Sequence, residues 1–265
     1  MKTKKKVGGK VYLTLLSIYL LLPFVVTLVY SLVVEWIDIL PTGFTLRNYR
    51  DLLTNSEFWG CVGRTIILCL VSVFSTVVIV LLAMYAVTIV APKLQPVTQF
   101  LCMIPYALQG VILSISIISL YAGRGSILSN RMLMLFGAYT ILVLPHIYQG
   151  IRNSLTAINA KMLIQAAEML GCGKFQAYVR VILPNIYQGI IVSCLLAESI
   201  VFGDFVLAKN IAGNSYQNVQ VFLNRKMFTS SGLSSAIVVV IFLVVLLLTW
   251  ATLRLQRDKK EEEMN

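Results

Sequence analysis

Residues 164–184 read IQAAEMLGCGKFQAYVRVILP. The chain has 265 residues, 58% of them hydrophobic and 12% charged, yet this stretch mixes polar and apolar positions, passes through Gly171 and Gly173, and stops at Pro184. Glycine costs about 1 kcal/mol inside a helix and suits the left-handed position just after one. The pattern therefore predicts a helix that ends at Gly171, a second short helix from about Lys174 to Ile182, and a return of the chain at Leu183-Pro184. Upstream, Leu155, Ile158, Met162, Ala166, Met169 and Leu170 recur at spacings of three and four, one helical stripe from Asn153 to Leu170. Lys161, Gln165 and Glu168 lie off it. Periodicity alone leaves two readings of this helix-turn-helix: an amphipathic element resting on lipid, or a docking surface for a soluble partner.

Outward from this stretch the sequence is that of a membrane protein. Mean hydropathy is +0.84, and an ordinary soluble domain carries about 25% charge. Six apolar runs approach or exceed the roughly 20 residues that cross a bilayer as helix: about 11–34, 65–90, 97–121, 132–151, 187–208 and 233–253. The expected fold class is all-α, one transmembrane domain over 1–265 with six spans, and 152–186 is its long loop on the same side as both termini. Pro23, Pro105 and Pro145 fall inside spans, where neighbouring helices compensate for a lost backbone bond.

Basic residues set the orientation. With the N-terminus inside, the inner segments hold 14 of the 22 basic residues, from Lys2, Lys4, Lys5, Lys6 and Lys10 to Arg254, Arg257, Lys259 and Lys260. Both termini are expected in the cytoplasm, with Trp36 and Trp59 near the outer interface and Trp250 near the inner one. The formal net charge of +11 is then a topology signal and a response to anionic lipid, not a nucleic-acid footprint. The lysines before residue 11 mimic a signal peptide, but the following run is too long and has no small-x-small site after it, so it reads as a retained span. Glu261 to Glu263 read as a solvated tail.

Catalytic chemistry is not written in the chain. The five cysteines form no CxxC pair and read as reduced packing residues. His146 is the one histidine, which leaves no HExxH site and no Ser-His-Asp triad. Gly171-Cys172-Gly173-Lys174 lacks the spacing and hydroxyl residue of a P-loop. Neither a catalytic residue nor a metal ligand is expected, and the chain is not read as an enzyme.

With these residues in view, a resemblance appears. Gln165-Ala166-Ala167, Gly171 and Val181-Ile182-Leu183-Pro184 resemble the EAA loop, E-A-A-x-x-x-G followed by x(9)-I-x-L-P, of the permease subunits of bacterial binding-protein-dependent ABC importers. Gln165 stands for the usual glutamate and Val181 for the usual isoleucine. FTLRNYRDLL (44–53), IPYALQGVI (104–112) and FGDFVLAKNIAG (202–213) are similar to the spermidine/putrescine branch, though Arg64-Thr65 stands where that branch often has Asn-Thr. The resemblance implies a type I ABC importer fold and a polyamine or related small polar solute as cargo. It implies ATPase docking through Gln165, Ala166, Ala167, Glu168, Gly171, Leu183 and Pro184. The partners implied are two ATP-binding cassette subunits carrying ATP and Mg, a second and related permease subunit, and an extracytoplasmic binding protein; this chain itself would bind no cofactor.

Acids inside a span cost about 2.5–3.5 kcal/mol on insertion scales and so face a partner or an aqueous path. Glu198 and Asp204 are such acids, and a path favouring a cation would use them. Six residues rotate a helix by about 240°, so the two need not share a face. Tyr106, Gln109, Phe202 and Phe205 are expected path neighbours. Phosphonate, iron or thiamine-like cargo is the alternative within this class. An ion-driven carrier is the alternative outside it, disfavoured because no inverted repeat or pair of matched broken helices is visible.

Overall fold

The computed structural model describes residues 2–35, 42–108, 110–123, 129–213 and 215–262. Gln109 and Trp36 lie outside them. Helices dominate: α1 (Lys2–Ser31), α2 (Arg47–Leu53), α3 (Ser56–Tyr85), α4 (Gln95–Ala107), α5 (Val111–Tyr121), α6 (Arg131–Ala157), α7 (Ala160–Met169), α8 (Lys174–Ala177), α9 (Leu183–Gly203), α10 (Val219–Met227) and α11 (Ser231–Glu262). A short antiparallel hairpin joins β1 (Val33–Glu35) to β2 (Thr42–Phe44), with Val33 opposite Phe44.

Among the described residues five helices are long and apolar enough to cross a membrane, within Tyr12–Ser31, Ser56–Val90, Arg131–Ala157, Lys174–Gly203 and Ser231–Arg254. The sequence reading draws a further span through 97–121. Here the chain makes two helices, Pro92–Ala107 and Val111–Tyr121, that meet at 103°. Gly110 explains the corner, because its φ of 65° and ψ of −120° suit glycine alone. Counted as one broken element, the pair brings the total to six.

By backbone contact the chain divides into two compact units, Met1–Gly60 with Phe222–Leu243, and Cys61–Val221 with Val244–Asn265. In the first, Asn48 Nδ2 donates to the carbonyls of Ser31 and Val33, both at 3.1 Å, and the Tyr49 and Ser31 hydroxyls pair at 2.7 Å. These bonds fix the exit of α1. Asn55 caps α3, accepting from the N–H groups of Glu57 (2.9 Å) and Phe58 (3.2 Å). Arg225 forms an ion pair with Glu57.

The second unit centres on α6 and α9. Asn130 caps α6, its side chain accepting from Met132 N–H at 2.9 Å, and Leu135, Tyr139, Val143, Ile147 and Ile151 on α6 are buried, as are Ile186, Ala197 and Val201 on α9. The two helices carry the same pattern, Gly150-x-x-x-Ser154 and Gly189-x-x-x-Ser193, and meet antiparallel, so that a Cβ at either glycine would overlap the other helix's serine. Each serine hydroxyl turns back on its own helix: Ser154 donates to Gly150 C=O (3.0 Å) and Ser193 to Gly189 C=O (2.7 Å). Small residues of this kind let backbones approach closely in lipid, where no hydrophobic force draws helices together.

Candidate functional site

The long loop folds as the sequence predicts, with two changes. The helix expected from 153 to 170 is broken at Asn159, which takes a left-handed φ of 49°, so α6 ends at Ala157 and α7 stands alone. The predicted stripe does not cover the core on α7: Met162, Ala166, Met169 and Leu170 face out, Met169 and Leu170 at 89% and 87% exposure, and the buried face is made instead by Ala160, Ile164 and Ala167, none of them in that stripe. Spacings of three and four could not reveal this, because α7 carries apolar residues on both faces.

Gly171 closes α7. At φ 86° its N–H donates to Glu168 C=O (2.9 Å), and the Cys172 N–H donates to Ala167 C=O (3.0 Å). This paired pattern is the Schellman motif, and it requires the left-handed residue. α8 and a π-helical turn, Tyr178–Ile182, lead without interruption into α9, whose first turn holds Pro184. Tyr178 is buried, its hydroxyl donating to Leu81 C=O at 3.0 Å. Tyr85 packs edge-on to both Tyr178 (5.2 Å between ring centroids) and Phe175 (5.5 Å). Tyr85, Phe175 and Tyr178 thus tie the hairpin to α3, and the sequence reading missed all three. Of the docking residues named from sequence, Gln165, Ala166 and Pro184 are exposed, Glu168 and Leu183 half-buried, and Ala167 faces inward.

Asp204 follows the last residue of α9 and is tightly engaged. Its carboxylate accepts from Tyr139 Oη (3.2 Å), Leu207 N–H (3.0 Å) and Ala208 N–H (3.4 Å), which makes it the cap of the turn that follows. Nearby, Asn210 Nδ2 donates to Ser114 Oγ (2.8 Å), Gln220 Nε2 to Phe202 C=O (3.3 Å), and Val219 N–H to Thr65 Oγ1 (3.0 Å). Tyr216 Oη donates to Arg64 C=O (3.2 Å); burial pushes its phenol up, against the opposing pull of Arg64, so it stays a donor at neutral pH. Replacing Asp204 by alanine should lower thermal stability by about 1–2 kcal/mol, with Asp204→Asn milder; equal melting of wild type and the alanine variant would remove the capping role.

Glu198 is half-exposed on α9. The ion pairs among the described residues are Arg47–Asp51 and Arg225–Glu57, so none of the described cations forms an ion pair with it. On another face of α9 a cavity of about 360 Å³ opens between α4, α6 and α9. Gln149, Asn153, Gln188 and Ser193 line it, with Tyr106 edge-on to His146 at 5.0 Å. Gln188, Val192 and Leu196 mark its stripe on α9, and helical rotation places Glu198 about 160° from Leu196 and about 120° from Val192, outside the lining of this cavity. Tyr106 and Glu198 therefore do not share one pocket. Phe202 is buried, Phe205 half-buried, and Gln109 lies outside the described residues.

Comparison with known proteins identifies the family. The family described as the binding-protein-dependent transport system inner membrane component matches residues 75–261. The chain belongs to that family. It is a permease subunit of an ABC importer, a membrane component without catalysis of its own, which works with ATPase and substrate-binding partners. The fold is the type I importer fold. A solved structure described as a bacterial ABC transporter involved in the import of the acidic polysaccharide alginate superposes with a TM-score of 0.65, at 16% identity, over 95% of this chain and 97% of that one. No curated protein matches the chain.

Proposed function

We propose that this permease couples to its ATPase through the α7–α8 hairpin and carries a small organic cation of the polyamine type. The observation that carries the docking assignment is the ridge of Met162, Met169 and Leu170, apolar side chains left uncovered on an element whose fold is fixed by the Gly171 cap. Side chains of this size on a rigid support serve as interface anchors. Two routes lead inward from the ridge: the Tyr178–Leu81 bond and the Tyr85 contacts to α3, and the unbroken path through the π-turn into α9. Because α9 is interlocked with α6, the pair moves as one block, so displacement of the hairpin by ATP-driven closure of the partner rocks both helices. Termini and hairpin are assigned to the cytoplasm, the second permease is a related chain, and ATP with Mg stays on the ATPase subunits.

The cation assignment rests on Glu198 and on the spermidine/putrescine resemblance. Glu198→Gln in vesicles holding the whole importer should raise KM for spermidine roughly tenfold, the scale of losing one close charge pair, with ATPase docking intact. A second reading is favoured by the amides and hydroxyls of the cavity beside Tyr106, which suit an uncharged polar solute. Under it, Glu198→Gln leaves uptake unchanged and Asn153→Leu abolishes it.

A further inference from the structure

A second cavity, about 590 Å³, adjoins the proposed docking face, since Met162 and Gln165 stand in its wall. It lies where several helices end together: after the last turn of α3, at the first residue of α4, at the last turns of α6 and the start of α7. On the membrane topology proposed above, on which this inference rests, these span ends lie at the cytoplasmic surface, which puts the cavity at headgroup level. Its cations are Arg152 and Lys161, and it contains no acid; Glu168, the one carboxylate of α7, is not in its wall. Neither cation takes part in an ion pair among the described residues. Gln95, Asn159 and Gln165 add amide groups, while buried Met84 and Leu155 and exposed Met162 make part of the wall apolar.

Two cations that form no ion pair among the described residues, with amide donors and apolar side chains beside them, fit one chemistry, a phosphate ester bearing an apolar tail. Basic pockets between spans hold anionic headgroups in this way, and the volume is that of an ordinary small-ligand site. We infer that the cavity binds a phosphate ester at the base of the hairpin, brought either by the headgroup of an anionic glycerophospholipid or by a soluble phosphate ester. Occupancy bridges the end of α6 to the start of α7 across the Asn159 break, so it stiffens the hairpin irrespective of the solute carried.

The test uses the assembled importer in phosphatidylcholine bilayers with and without phosphatidylglycerol, and counts retained lipid by native mass spectrometry. Wild type and Arg180→Gln, which removes one charge from the same loop outside the cavity, should retain phosphatidylglycerol. Arg152→Gln with Lys161→Gln should retain about thirtyfold less, roughly fivefold per basic residue. A photoreactive phosphatidylglycerol should label residues 152–165 of the wild type, a readout that does not depend on the variants folding. If instead glycerol 3-phosphate raises the melting temperature of wild type but not of the double variant in pure phosphatidylcholine, and no lipid is retained, the phosphate chemistry holds and the soluble source is the right one. Equal retention by all three proteins, with labelling elsewhere and no effect of glycerol 3-phosphate, overturns the assignment.

Discussion

Replacing Gly150 by leucine will prevent the permease from accumulating as a folded protein, and even Gly150→Ala will lower its melting temperature. A Cβ at this position would stand 2.9 Å from Ser193 Cβ and overlap the Ser193 hydroxyl, closer than such atoms approach. The backbones of α6 and α9 must separate to admit it. Overpacking of this kind costs about 1–3 kcal/mol, which exceeds the roughly 1 kcal/mol that alanine gains over glycine as a helix former. The effect is specific to size, so the swapped pair Gly150→Ala with Ser193→Gly should recover most of the loss. Gly189 and Ser154 offer the same exchange in mirror register. If Gly150→Ala melts with the wild type, or the swap fails to rescue it, the helices are not interlocked through these residues.

The second large effect concerns the hairpin. Met169 and Leu170 are nearly fully exposed, and their removal takes nothing from the core that holds α7 against its own chain, which is made by Ala160, Ile164 and Ala167. Glutamate at both positions should therefore leave the permease folded while the partner loses two apolar anchors. Burying such side chains is worth about 2 kcal/mol each, so the pair accounts for about 4 kcal/mol, close to a thousandfold in Kd for the ATPase. ATP-dependent uptake should fall below detection while the permease's own melting temperature stays within a degree or two. Ala167→Glu is the contrasting variant: it puts a charge into a buried position and should unfold the hairpin itself.

The pattern of spans was legible because a bilayer demands long apolar runs, and the hairpin was legible because Gly171 and Pro184 mark its turns chemically. Gly171 is the clearest case, since the Schellman bonds need the φ that glycine supplies. Three features were not legible for physical reasons. Hydropathy is blind to direction, so the sharp corner at Gly110 read as one straight span. The two faces of α7 are both apolar, so periodicity could not say which one is covered. The contacts of Tyr178 with Leu81 and of Gly150 with Ser193 join residues distant in sequence. The repeated G-x-x-x-S of α6 and α9 was nonetheless visible as a pattern and could have been read as a helix-packing motif. Asp204 was picked out as an acid inside a span that could line the path, yet it follows the end of α9 and its hydrogen bonds serve the backbone of the next turn, a use that charge alone does not disclose.

The most direct measurement of the central claim is co-purification of the tagged permease from gently extracted membranes, with the eluted partners identified by mass. Wild type and the Met169→Glu, Leu170→Glu double variant are compared at equal amounts of folded permease. The account predicts an ATP-binding cassette subunit eluting with wild type and missing from the variant. Equal recovery of that subunit with both proteins would contradict the assignment of the hairpin as the docking element.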